Sequence, residues 1–121
     1  MDPRITPPAA PGSEPVTLIN AFTVPLEESE RFLERWKDTA RAMARQPGFI
    51  RARMHRALAD DAELRFVNVA EWDSGEALAR ALAIPEFQAY ARRVLDAPDF
   101  HVVPRPGVYR VAVDVHPGDT P

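Results

Sequence analysis

The chain has 121 residues, a formal net charge of −3 and no cysteine. That length fits one domain, and the missing thiols exclude disulfides, a thiol nucleophile and a thiolate-rich metal site. The acidic balance argues against a nucleic-acid partner, and no apolar run approaches the ~20 residues of a membrane span or forms a signal-peptide core, so the expectation is a cytoplasmic protein.

Residues 1–15 hold five of the 13 prolines and almost no hydrophobic periodicity, which predicts an extended or disordered lead-in. The domain is expected over residues 16–115. Val16 to Thr23 reads as a first strand with Val16, Leu18, Asn20 and Phe22 on one face, ended by Pro25. From Leu26 to Gln46 the period becomes helical, with Phe32, Trp36, Ala40 and Met43 in one stripe. Glu27, Glu28 and Glu30 at its start and Arg41 and Arg45 at its end suit the helix dipole, and Pro47-Gly48 stops it.

Phe49 to Leu58 reads as a second strand, with Ile50, Ala52 and Met54 on one face and Arg51, Arg53 and His55 on the other. A short turn at Ala59 to Ala62 then makes the third strand, Glu63 to Trp72, its antiparallel hairpin partner. Asp73 lies at capping-box spacing before Glu76, opening a second helix through Ala77, Leu78 and Ala81. Pro85 suits the first turn of another helical piece, whose stripe runs through Phe87, Ala91 and Val94. After a proline-punctuated loop from Ala97 to Pro106, Gly107 to Val115 reads as the last strand and residues 116–121 as a tail.

This order predicts an α+β, ferredoxin-like βαββαβ fold with a four-stranded antiparallel sheet. Two helices can cover only one face of such a sheet. Ile19, Ala21, Val67 and Val69 place apolar groups on the other face, so a homodimer through the sheet faces is expected.

The third strand carries the strongest functional signal. Leu64, Phe66, Asn68, Ala70 and Trp72 share one face, apolar but for a carboxamide. That amide needs a partner, which can be a protein group, a water or a ligand, because leaving it unmet costs roughly 1–3 kcal/mol. Trp72 can be core or a pocket wall whose indole N–H donates to a polar guest. Asn20 can bridge backbone or face the same pocket. His55 sits on a polar face that suits solvent, a dimer rim or proton handling. No paired-His metal motif, glycine-rich phosphate loop or nucleophile elbow occurs.

VTLINAFTVP, QPGFI after the first helix, MHRAL, VNVAEW and the IPEF helix start occur in the order of a known family. Over roughly Val16 to Val115 the chain resembles the antibiotic biosynthesis monooxygenases, small ferredoxin-like proteins of the dimeric α+β barrel superfamily. Members that oxidise aromatic polyketides do so without flavin, haem or metal, with molecular oxygen as co-substrate. The resemblance implies a pocket between sheet and helices of each subunit. It implies catalytic roles for Asn68, Trp72 and Arg92, the Arg falling on the helix that follows the Trp. Asn20, Phe22, Phe32, Trp36, Phe66 and His55 are the expected substrate-binding residues. The Tyr that this branch carries near the start of its second helix is absent from Gly75 to Ala81. A haem-degrading branch shares Asn20 and Trp72 but needs a His on the helix after the Trp, and Asp73 to Leu95 has none.

The expected activity is therefore conversion of a polycyclic phenol or anthrone to a quinone, with no cofactor and a small aromatic substrate. The alternatives are a non-oxidative polyketide cyclase or isomerase on the same scaffold, a haem-degrading monooxygenase, and a binding protein without turnover.

Overall fold

The computed structural model describes residues 2–7 and 12–119. Its domain runs β1 (Val16–Thr23), a 3-10 turn (Leu26–Glu28), α1 (Ser29–Ala44), β2 (Phe49–Arg56), β3 (Phe66–Trp72), α2 (Gly75–Leu82), α3 (Pro85–Leu95) and β4 (Val103–Tyr109). The strands form one antiparallel sheet in the order β2-β3-β1-β4. This is the expected ferredoxin-like α+β plan.

Alternation decides which residues point inward. On β3, Phe66, Asn68, Ala70 and Trp72 are buried while Val67, Val69 and Glu71 are half-buried. In register across from them on β1 stand Phe22, Asn20, Leu18 and Val16. The inner face packs into two clusters. One joins Leu18 and Trp72 to Met43, Leu78 and Phe87, and the other joins Phe22 and Phe66 to Phe32, Val94 and Phe100. Phe32 is the hinge of the second, its ring 5.0 Å from Phe22 and 5.1 Å from Phe66.

Four local features differ from the sequence reading. First, a bulge between Phe49 and Arg51 shifts the β2 register, leaving Ile50 55% exposed and turning Phe49 inward. Phe49 then meets the Trp72 indole edge-on at 5.3 Å. Gly48 precedes the bulge at φ +89°, and a Cβ there would lie 2.5 Å from that of Ala77, so only glycine fits.

Second, α2 is capped by Ser74, whose Oγ accepts the Ala77 N–H at 3.1 Å, and not by Asp73. The Asp73 N–H instead donates to Gly48 O at 2.8 Å.

Third, the last strand lies at Val103–Tyr109, earlier than Gly107 to Val115. Pairing decides this: Thr17 opposes Tyr109, so β1 has almost no chain left to pair with residues beyond Tyr109. Val111, Val113 and Val115 keep their alternation but stay exposed. Pro104 and Pro106 are tolerated because β4 is an edge strand.

Fourth, the lead-in is not featureless where it is described. Residues 2–7 form a turn in which the Ile5 and Thr6 N–H groups donate to Asp2 O, and Ile5 is buried among the first cluster. Residues 1, 8–11, 120 and 121, part of the expected lead-in and tail, lie outside the described residues.

Candidate active site

The two clusters do not close on each other completely. Between the inner sheet face and helices α1 and α3 lies a cavity of about 90 Å³, continued by open space at its mouth. Its floor is shaped by small residues: Ala52 and Ala70 oppose each other in register on β2 and β3, and both line it. The roof comes from Phe32, Trp36 and Met43 of α1 and Phe87, Ala91 and Val94 of α3, one apolar stripe from each helix.

Polar groups on this lining are few. Asn68 and Trp72 are 8% and 1% exposed, and Asn68 Oδ1 and Trp72 Nε1 are buried with no hydrogen-bond partner. Each such atom costs about 1–3 kcal/mol while it has no partner. Asn20, directly opposite Asn68, behaves differently. Its Oδ1 accepts the Arg105 N–H of β4 at 3.1 Å, which leaves a guest its amide N–H donors and one oxygen lone pair. Besides the Thr39 hydroxyl and the Trp36 indole of α1, the cavity therefore holds an amide with a paired oxygen, an amide with an unpaired oxygen and an unpaired indole N–H on one apolar floor. A flat ring system bearing hydroxyl and carbonyl oxygens would supply what these groups lack.

Arg4 is the one titratable side chain among the described lining residues. Hydrogen bonds to Asp2 and Asp96 raise its pKa further, and the Arg4 side-chain and backbone donors hold the Asp2 carboxyl down at about 2. No carboxylate, histidine, lysine or tyrosine joins the described lining, so the cavity offers no side-chain base near neutral pH. Among the described residues, no three His, Asp or Glu cluster as metal ligands would, and no helix is long and apolar enough to cross a membrane.

Of the residues singled out from sequence, Asn68, Trp72, Asn20, Phe22, Phe32 and Trp36 line the cavity. Three do not. Arg92 is exposed, because the stripe through Phe87, Ala91 and Val94 turns it away to the flank of α3. Phe66 lies beside the cavity, covered by the stacked ring of Phe32. His55 is on the outer sheet face, opposite Val67 in register, with Nδ1 3.3 Å from Val67 O. The lining residues that sequence did not point to include Phe49, brought in by the bulge, Thr39 of α1, Leu82 at the end of α2, Leu95 at the end of α3, Pro104 and Pro106 on the displaced β4, and Arg4 and Ile5 from the turn at residues 2–7. Arg4 and Ile5 had no periodicity to signal them.

A family profile described as antibiotic biosynthesis monooxygenase matches residues 15–93. The deoxynogalonate monooxygenase of Streptomyces nogalater is 39% identical over 79 residues, which span 65% of this chain and 64% of that relative. Among solved structures, SnoaB, a cofactor-independent oxygenase from Streptomyces nogalater, aligns with a TM-score of 0.68 at 31% identity. That alignment covers 84% of this chain and 97% of SnoaB. Rv0793 from Mycobacterium tuberculosis shares the fold at 16% identity, with a TM-score of 0.64 over 85% of this chain and all of that one.

Proposed function

The chain belongs to the antibiotic biosynthesis monooxygenase family, and from that premise we propose that it is a cofactor-independent monooxygenase. Its substrate is an anthrone- or phenol-type polycyclic aromatic of polyketide kind, which it converts to a quinone with molecular oxygen. The observation that carries this reading is the unsatisfied pair, Asn68 Oδ1 and Trp72 Nε1, on an otherwise apolar floor. The similarity to SnoaB and to a monooxygenase acting on deoxynogalonate supports the choice of chemistry.

The reaction balances as a ring CH2 plus O2 giving C=O plus water. The substrate loses a proton and its delocalised anion passes one electron to O2. The resulting radical and superoxide combine through a new C–O bond to a peroxide. Proton uptake and O–O cleavage then release water as the remaining C–H proton leaves and the carbonyl forms. The electrons come from the substrate.

This chain's residues bind and orient. Phe22, Phe32 and Trp36 hold the rings and exclude water, which strengthens every polar contact inside. The Trp72 N–H donates to an oxygen that becomes negative, and Asn68 meets a hydroxyl or, with its amide turned over, an oxyanion. No base among the described lining residues accepts the first proton, so the substrate gives it to bulk water and enters as its anion. Rate should then rise with pH until the substrate itself is ionised.

The test is turnover of an anthrone under ¹⁸O₂. One labelled oxygen in the quinone and equimolar oxygen uptake are expected. Turnover without oxygen would replace this reading with a non-oxidative cyclase or isomerase. A flavin or Soret band in the purified protein would contradict cofactor independence.

We also propose that the protein works as a homodimer through the outer sheet faces. Ile19, Ala21, Val67 and Val69 are half-buried there, and the helical cores lie on the opposite face. Light scattering at micromolar concentration should give twice the chain mass, and a strict monomer would refute it.

A further inference from the structure

One wall of the cavity comes from neither the sheet nor the helices. The turn at residues 2–7 lies upstream of the stretch that matches the family, yet it lays Arg4 and Ile5 along the cavity. Ile5 is 6% exposed and packs in the cluster that contains Leu18, Trp72, Leu82 and Phe87. A segment outside the sheet and the helices reaches that burial by occupying space at the cavity's edge.

Polar contacts fasten it there. Arg4 Nη1 lies 2.9 Å from Asp96 Oδ1, at the C-cap of α3, while Nη2 lies 2.6 Å from Asp2 Oδ2 within the turn. Gln88 of α3 adds a donation from Nε2 to Thr6 Oγ1 at 3.4 Å. Two carboxylates already share the Arg4 guanidinium. What the turn shows a guest is thus an apolar side chain and a neutralised edge, not a free cation.

We propose that this turn is the specificity-determining wall of the cavity. Ile5 sets how long a fused-ring system fits beside Trp72, and the Arg4–Asp96 pair holds Ile5 in position. The proposal rests on the reading of the cavity as an aromatic-substrate site. An Ile side chain carries four carbon atoms, as many as one further fused benzo ring adds. Removing it makes room for one more ring, and releasing the Arg4 latch lets the turn yield to it.

The test reads binding, not turnover. Dissociation constants of 1,8-dihydroxyanthraquinone, with three fused rings, and 5,12-naphthacenequinone, with four, are measured by quenching of tryptophan fluorescence. In wild type the three-ring probe should bind more tightly. Ile5→Gly should move the ratio of affinities about tenfold toward the four-ring probe, a shift of the size that a few buried carbons produce. Asp96→Asn should move it the same way by at least threefold. Asp96 is half-exposed, so this variant keeps the test valid even if Ile5→Gly does not fold. A ratio that moves less than threefold in Asp96→Asn and in any folded Ile5→Gly protein overturns the role of the turn while leaving the aromatic site intact. Failure of wild type to bind either probe overturns the site and the turn together.

Discussion

The two faces of the sheet treat polar side chains in opposite ways. On the outer face the charges meet partners or water: Arg51 pairs with Glu71, Arg105 with Glu63, and His55 is exposed. On the inner face Asn68 and Trp72 are shut away from water and unpaired. The inner face is itself divided, between two residues of the same type. Asn20 and Asn68 oppose each other across β1 and β3, yet Asn20 Oδ1 has the Arg105 N–H and Asn68 Oδ1 has nothing. A group left unsatisfied in a packed interior needs a reason, and a guest that completes it supplies one.

The largest effect should come from the packing that frames the cavity. Phe32→Ala removes the ring between Phe22 and Phe66 and should destabilise the fold by about 3–5 kcal/mol in denaturant titration. A loss below about 1 kcal/mol would show that the roof is loosely packed and the cavity ill-defined.

The next variant separates binding from stability. Asn68→Leu replaces an unmet acceptor with carbon and should raise stability by about 1–3 kcal/mol while lowering turnover roughly 100-fold. Loss of both stability and activity would mean that Asn68 is a structural residue, and the contrast with Asn20 would collapse.

A third prediction concerns acid. Burial pushes the Glu28 pKa up, but hydrogen bonds from the His101 side chain and backbone outweigh it and leave the carboxyl below its ordinary value. Its stabilising contribution is complete above the unfolded value and disappears as pH falls through the lowered folded value. Glu28→Gln should flatten the fall in Tm on the acidic side without altering the cavity. An unchanged acid limb would show that this contact carries no linkage.

Periodicity made most of this legible in the sequence. Strand alternation placed Asn20, Phe22, Asn68 and Trp72 on one face, and helical spacing placed Phe32 and Trp36 above them. It failed where one local event resets the phase. The bulge at Ile50 exchanged Ile50 for Phe49, and no residue type there announces it. Arg92 was expected in the site from the family resemblance alone; one step along a helix turns a side chain by about 100°, from the Ala91 stripe to solvent. β4 was displaced because valine alternation marks a possible strand but not its register, which β1 decides. Ile5 and Arg4 reach the cavity through a turn with no pattern of its own, held by tertiary contacts.

The most direct measurement is the ¹H–¹⁵N resonance of the Trp72 indole, assigned by its loss in Trp72→Phe, during titration with 1,8-dihydroxyanthraquinone. If a quinone oxygen takes up the unpaired Nε1–H, that resonance should move downfield and saturate. In Asn68→Leu the same shift should need a higher ligand concentration. An indole signal that stays in place while the ligand binds would contradict a site built around Asn68 and Trp72.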